Sequence, residues 1–496
     1  MEENIAQPAA GDGIEKRLQQ LGKDSFVYGL GGMAAKAVGF LLLPIYTRIF
    51  APAEFGVIEL LTVTNSFVGT ILVLGTDAAQ SYYFFEQKKE GKSAQSDVVS
   101  AILQFRLLWG AVMVILSTLL SPLLNHLCFD GKLSWEYFAI SFTGALFAQM
   151  MNQSAEVFRL LYRPWSYIGV TLGSTLACAA MAITLVVGFH GGIMGYIIGF
   201  AVGSAVAAGI GWVRIRHYIN LSQWHFDWWP RLLRFGLPLM PAGLVLLVMN
   251  TADRWFINSY QSQTELGLYA VAAKFSLIIA MATENFRKAW WPIGMDAMHS
   301  KDGPELFRMV SRLYLGMGMA GVVLLTTCSP WLVKWFTGPA YHESYPIVGV
   351  LGFSSIFYGF FLISGAGSWK SERTVWTTIA LAVGAVLNII LNFLWVPRFA
   401  GLGAAVATSI SMLVSNMILV VRGEQLWRVD FPVGILLLQV VTAAVSVAGI
   451  LAIDLFGRPQ WTVWVITALS VSTLFALAGG KRGLAMVRKW RARESR

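Results

Sequence analysis

Charge is what this sequence has least of: Asp, Glu, Lys and Arg make up 13% of its 496 residues, against 56% hydrophobic. A soluble chain of this length divides into domains carrying far more charge, so a water-soluble protein is excluded. Period-two alternation is also missing, which argues against a transmembrane barrel. There are three cysteines, Cys128, Cys178 and Cys328. They form no metal-ligand spacing, and all three read as packing residues. No His/Cys cluster, phosphate-cradling glycine loop or nucleophile–base spacing is visible. No metal, no cofactor and no catalytic residue is therefore expected. Residues 1–24 are polar with both signs of charge and lack the apolar run of a cleavable leader.

What is present is a succession of apolar stretches of about 20 residues, each long enough to cross a bilayer core of about 30 Å as a helix. They fall near 25–50, 57–84, 98–120, 135–158, 166–189, 192–213, 233–258, 266–292, 309–328, 346–369, 374–396, 401–421, 433–454 and 461–480. The expected fold is an all-α integral membrane protein of about fourteen transmembrane helices. The net charge of +10 suggests nucleic acid at first, but its distribution is topological. With the amino terminus inside, Arg48, Lys132, Arg254, Lys334, Arg398 and Arg458 lie outside. Only Lys36, Arg106 and Lys274 remain within spans, and the rest of the 37 Lys and Arg are cytoplasmic. That bias predicts both termini in the cytoplasm and no nucleic-acid partner. Trp109, Trp135, Trp228, Trp229, Trp290, Trp291, Trp427 and Trp461 fall near span ends, as an interfacial belt requires.

The chain resembles itself at an offset of about 210. "AEFGVIEL" at 53–60 matches "TELGLYAV" at 264–271, aligning Glu54 with Glu265 and Gly56 with Gly267. "HGGIMGYIIG" at 190–199 matches "RFAGLGAAVA" at 398–407, and 163–174 matches 373–384 in profile. An even number of spans per repeat sets both copies the same way up, so the pattern predicts two lobes enclosing a cavity and rocking for alternating access. The expected organisation is a cytoplasmic tail (1–24), an N-lobe of six helices (25–217), a cytoplasmic interfacial linker (218–231), a C-lobe (232–430), two further helices (431–480) and a basic cytoplasmic tail (481–496). Pro44, Pro238 and Pro241 permit kinks, although prolines are common in membrane helices anyway.

"MNTADRWFINSYQSQTELGLYAVAAKFS", 249–276, resembles a signature of the polysaccharide flippases. It carries Asp253-Arg254, then Gly267-Leu268-Tyr269 and Ala273-Lys274. "LLLPIYTRIFAPAEFGVIEL", 41–60, and "LNFLWVPRFAGLGAAVATSI", 391–410, are similar to two helix junctions of the same family. These proteins share a superfamily with multidrug-and-toxin exporters and the peptidoglycan lipid flippase. Met194 and Tyr196 around Gly195 depart from the plainest pattern and predict looser packing there. The resemblance implies movement of a polyprenyl-pyrophosphate-linked oligosaccharide from the cytoplasmic to the outer leaflet of a bacterial inner membrane, for surface polysaccharide synthesis. It also implies two lobes around a cationic cavity, a groove beside the last two helices for the lipid tail, and coupling to an ion gradient of H+ or Na+. Membrane lipids, a polysaccharide polymerase and chain-length machinery are the implied partners.

The intramembrane charges carry the site expectations. Lys36 lies about 18 Å into the first span at about 1.5 Å per residue, too deep for snorkelling to reach the interface in full. Facing lipid there costs about 2.5 kcal/mol or more, so it should face the bundle interior or water. A pyrophosphate needs cations, and Lys36, Lys274 and Arg106 are the candidates for its headgroup; the alternative for each is a structural pair or an interfacial position. Asp253 and Arg254 form a gate or a cross-helix pair. Neighbours on a helix point about 100° apart, so the two are not expected to face each other. Ion coupling needs a carboxylate, and Asp77 and Glu284 are the first candidates. Glu156 and Arg159, three apart, read as a plain ion pair. Asn152 and Gln153 are weak candidates for sugar contacts, because amides also bind membrane helices together.

An enzyme on lipid-linked sugars would display catalytic groups in a sizeable outer loop. The largest here, 121–134, offers only Asp130 and His126. A drug exporter of the same fold should carry acids rather than Lys36 and Lys274. A membrane scaffold should carry a folded extramembrane domain.

Overall fold

The computed structural model describes residues 29, 31–220, 223–456 and 459–479. The expected terminal tails, 1–24 and 481–496, and Arg458 lie outside these. The described residues are predominantly helical, with no strand among them. Eleven helices are long and apolar enough to cross a membrane, or twelve if the bent pair Trp228–Leu239 and Gly243–Tyr260 counts as one span. Two elements make up the difference from the expected fourteen. Trp135–Leu160 has the length but carries Glu136, Gln149, Asn152, Gln153, Glu156 and Arg159. Val375–Leu426, counted once, holds two helices that meet at a kink at Ala400 (φ 46°, ψ −132°). Ser415 Oγ donates to the Ala380 carbonyl at 3.0 Å and Asn388 Nδ2 to Thr408 Oγ1 at 3.1 Å. Residues on either side of the kink thus meet, so the two arms form a hairpin.

The helices are α1 (Gly31–Ile49), α2 (Pro52–Lys89), α3 (Lys92–Leu119), α4 (Trp135–Leu160), α5 (Pro164–Gly188) and α6 (Gly192–Tyr218). Then come α7 (Met240–Tyr260), α8 (Gln263–Ala297), α9 (Gly303–Phe336), α10 (Pro339–Lys370), α11 (Val375–Leu426), α12 (Val433–Leu455) and α13 (Gln460–Leu477). The packing divides the chain into two compact units, residues 1–42 with 57–247 and residues 43–56 with 248–496. The segment 43–56 packs with the second unit.

In the first unit, α6 packs against α4 and α5. Small residues allow this: a Cβ on Gly199 or Gly203 would lie 2.4 Å from Ala182 Cα or Cys178 Cα. Backbones approach this closely in lipid because dispersion, not burial from water, drives helix association there. Gly195 continues the stripe, buried, its position 3.2 Å from the Leu185 carbonyl oxygen. That close packing concerns Gly195 itself; Tyr196, beside it, lines a cavity against α2 and α4.

The linker is held along α3. Ser100 Oγ accepts from Asn220 N at 2.7 Å, while Gln104 accepts from His225 N at 3.0 Å and donates to the Gln223 carbonyl at 2.6 Å. The short helix Trp228–Gly236 then sets Trp228 against Tyr83, Trp229 against Phe105 and Phe235 against Tyr82.

In the second unit, α10 packs against α8, α9 and α11, and α9 carries α12 and α13. The repeat is visible as matched caps. Glu54 accepts from Ala51 N at 2.8 Å at the start of α2, and Ser262 Oγ accepts from Glu265 N at 3.1 Å at the start of α8. Both are halves of a capping box. The two starts cross at the aligned glycines. A Cβ on Gly56 would lie 2.0 Å from the Gln263 carbonyl oxygen, and one on Gly267 would lie 1.9 Å from that of Pro52.

Between α11 and α12, Glu424 accepts from Val429, Asp430 and Phe431 N–H groups. Asp430 in turn accepts from Arg428 Nε at 2.8 Å, which holds its carboxyl below the ordinary value. A group with a lowered folded-state pKa contributes stability above its unfolded pKa and loses it as pH falls through the folded value. The wild type is therefore expected to melt above Asp430→Asn at neutral pH, with the gap closing as pH falls below the ordinary Asp value of 3.8. Thermal unfolding against pH for the two proteins checks this; a gap that persists in acid removes Asp430 as its source.

Candidate functional site

The first unit builds its charge cluster on a broken helix. Leu74 (φ 48°) and Gly75 (φ 72°) interrupt α2, and Thr76–Glu86 restarts it. Gly75 is required twice over. Its φ lies in the left-handed region, and a Cβ there would sit 2.3 Å from the Gly236 carbonyl oxygen. Thr76 Oγ1 donates to the Val73 carbonyl at 2.7 Å, meeting one acceptor left by the break. It also accepts from Arg106 Nη2 at 3.0 Å. Arg106 Nη1 reaches the Gln149 carbonyl at 3.1 Å, and Nη2 pairs with Asp77 Oδ1. The Arg106 side chain is 0% exposed and that of Asp77 48%. A candidate headgroup cation and a candidate coupling carboxylate are thus brought together, with only the carboxylate open to its surroundings.

Lys36 lies on α1 with its side chain exposed. It makes no hydrogen bond or ion pair among the described residues. Asn152 is exposed, with Nδ2 at 3.4 Å from Gln149 Oε1. Gln153 is buried and donates to the Val99 carbonyl at 3.1 Å, tying α4 to α3. Glu156 pairs with Arg159 as read, and also accepts from Ser81 Oγ at 3.0 Å.

The second unit holds the remainder. Arg254 Nη1 donates to Asp253 Oδ1 at 2.8 Å and Oδ2 at 3.0 Å. This corrects the expectation that these neighbours do not meet. Helical side chains lean toward the amino terminus, so the guanidinium folds back over the preceding turn, where it also reaches the Asn250 carbonyl at 2.8 Å. The cross-helix contact comes from Tyr269 on α8. Its hydroxyl donates to Asp253 Oδ2, and its ring lies 5.2 Å from the Arg254 guanidinium. Lys274, one turn further along α8, is half-buried.

Glu284 pairs with Arg287 at 3.0 Å, and that guanidinium rests 4.2 Å from the Tyr358 ring centre. Arg287 was not among the charges singled out in the sequence. It lies ten residues inside α8, and its spacing of three from Glu284 was the available signal. Tyr269 stood in a quoted motif without a role. Thr76 had no signal, because nothing in a sequence marks a hydroxyl that will meet an arginine 30 positions away.

The family described as polysaccharide biosynthesis protein matches residues 21–294, more than half of the chain. The Lsg locus putative protein 1 of Haemophilus influenzae is 24% identical over 284 residues, covering 56% of this chain and 67% of that protein. An uncharacterized membrane protein of the same organism is 23% identical over 403 residues, 77% of this chain and 94% of its own length. Among solved structures, the lipid II flippase MurJ in an inward closed conformation superposes with a TM-score of 0.71 at 16% identity, covering 92% of this chain and 98% of its own. An inward-facing multidrug resistance MATE family transporter of the MOP superfamily gives 0.59 at 13%, covering 80% and 94%. At these identities the two structures establish the fold: a multi-pass membrane transporter architecture.

Proposed function

The chain belongs to the polysaccharide biosynthesis protein family, and on that premise we propose that it is a flippase. It carries a polyprenyl-pyrophosphate-linked oligosaccharide from the cytoplasmic to the outer leaflet of a bacterial inner membrane, with both termini cytoplasmic. Transport proceeds by alternating access driven by an H+ or Na+ gradient, and the product passes to a polymerase and its chain-length machinery. The observation that supports this best is Lys36. An exposed ammonium on a membrane-spanning helix, unpaired among the described residues, costs about 2.5 kcal/mol or more against lipid. A mobile anion that visits and leaves is a reason to keep it so. In the second unit Lys274 is a further candidate cation for a headgroup, and Asp253 with Arg254 and Tyr269 forms a gate; Asp77 and Glu284, each in its own unit, exchange the coupling ion against their arginine partners.

The test is the leaflet position of lipid-linked glycan in cells lacking the protein, rescued with wild type or Lys36→Gln. The deletion is expected to trap glycan on the cytoplasmic leaflet. Wild type restores it, and Lys36→Gln, present at equal level, restores roughly a tenth or less. Full rescue by the variant removes Lys36 from the mechanism. An unchanged glycan distribution on deletion overturns the flippase and promotes the second reading, a cation-coupled multidrug exporter, which the half-exposed Asp77 and Glu284 carboxylates favour.

A further inference from the structure

A cavity of about 220 Å³ in the first unit lies between α2, α4 and α6, and none of the charged pairs described above lines it. Six polar side chains line it: Thr62, Asn65 and Ser66 from α2, Ser141 and Gln149 from α4, and Tyr196 from α6. None is charged. Ser141 and Gln149 lie about 9 and 21 Å along α4, counted from its first residue at about 1.5 Å per residue. Counted along a helix that crosses a bilayer, these are hydrocarbon depths, where polar groups are expensive unless partnered.

Helix cross-linking accounts for part of this cluster: Asn65 Nδ2 donates to Ser141 Oγ at 2.8 Å. Such bonds hold membrane helices together. It does not account for the rest. Asn65 Oδ1 is buried with no hydrogen-bond partner among the described residues, and flipping the amide only exchanges which of its two atoms is orphaned. Gln149 Oε1 accepts from Asn152, which fixes its orientation. Its Nε2 donates to no other described residue and lies in the space left by Gly69, 2.8 Å from where a Cβ would be. Thr62 and Ser66 donate to carbonyls of their own helix, leaving their oxygen lone pairs to accept. The cavity therefore offers a spare acceptor, a spare amide donor and two accepting hydroxyls, all neutral, beside an aromatic ring.

A cation would find no carboxylate here, and a pyrophosphate no positive charge. The complement is a ligand rich in hydroxyl groups with an apolar ring face. The volume lies below the roughly 300–1,000 Å³ of drug-sized pockets and suits one sugar ring rather than a chain. We propose that this cavity binds a single sugar residue of the transported glycan, through Asn65 and Gln149 with Tyr196 as its apolar wall. The inference rests on the flippase reading and adds where, and by what chemistry, the sugar is recognised. The connection to the charge cluster is direct, since the Gln149 carbonyl is a hydrogen-bond partner of Arg106.

The test uses the full chain in lipid nanodiscs and two probes: a polyprenyl pyrophosphate bearing one N-acetylhexosamine, and the same lipid without sugar. Wild type is expected to prefer the sugar-bearing lipid roughly tenfold, the worth of one or two good hydrogen bonds. Asn65→Leu and Gln149→Leu should each bring the ratio most of the way to unity while affinity for the bare lipid stays. Lys36→Gln should weaken both lipids and keep the ratio. If Asn65→Leu fails to fold, Gln149→Leu decides, since the bond from Arg106 goes to its backbone. A preference unchanged in the folded variants, or absent from wild type that binds both lipids equally, overturns the sugar site alone. Failure of wild type to bind either lipid overturns the flippase reading itself.

Discussion

Asp77→Leu is expected to destabilise the protein more than Arg106→Met, although the two side chains form one ion pair. The asymmetry follows from exposure. Arg106 is 0% exposed and Asp77 48%. Removing the carboxylate strands a guanidinium that no water reaches, and an uncompensated buried charge costs about 3–5 kcal/mol. Removing the guanidinium leaves a carboxylate that its surroundings can still hydrate, together with the Thr76 hydroxyl and the Gln149 carbonyl short of a donor. Both groups keep another bond, Thr76 Oγ1 to the Val73 carbonyl and the Gln149 carbonyl within its own helix, so the loss is about 1–3 kcal/mol in all, and methionine fills much of the volume. The double variant should recover part of the loss of Asp77→Leu, because the stranded charge is gone. Detergent-solubilised thermal melts of the four proteins read this directly. Equal losses for both single variants would mean that Asp77 is also sealed from solvent in the folded state, and the coupling role proposed for it would lose its physical basis.

Gly56→Val and Gly267→Val are expected to leave little folded protein in the membrane. A Cβ at either position would lie 2.0 or 1.9 Å from a backbone carbonyl oxygen of the opposing helix start. Overpacking a core costs about 1–3 kcal/mol when neighbouring side chains can move. Here the obstacle is main chain already fixed by the caps at Glu54 and Ser262, so the cost lies above that range and takes a large share of a typical stability of about 5–15 kcal/mol. Gly32→Ala and Gly39→Ala are the controls, since a Cβ at either position meets nothing within 4 Å. Folded yield by size-exclusion chromatography separates the pairs. Wild-type yield from Gly267→Val would show that the crossing yields at low cost.

The aligned pair Glu54/Gly56 and Glu265/Gly267 was legible in the sequence because both features are local: a carboxylate three residues into a helix and a glycine one turn in. Their meeting was not, since nothing in one stretch encodes its distance to the other. The same divide runs through the candidate site. Lys36 and Arg106 stand out as charges in apolar runs, and depth alone makes them conspicuous. Which of them is exposed depends on Asp77, Thr76 and Gln149 reaching Arg106, contacts 29 to 43 residues apart in the chain. Arg254 was misread because the 100° rule describes where a Cβ points and not how far a guanidinium can travel. Asn65 gave no signal at all: one amide in a helix of hydroxyls reads as glue until the cavity beside it is seen.

The interruption of α2 at Leu74–Gly75 has an electrostatic consequence. A helix that begins at Thr76 places about half a positive charge at its start, and the arm that ends at Val73 places about half a negative charge at its own end. Both lie at one break, so the backbone there is close to neutral, and the Thr76 hydroxyl spans the two ends, donating to the Val73 carbonyl and accepting from Arg106. Asp77 and Arg106 cancel as formal charges as well. The break therefore adds no fixed charge of its own, and the sign of the field in the first unit is left to Lys36, the one of these charges that stands uncancelled among the described residues.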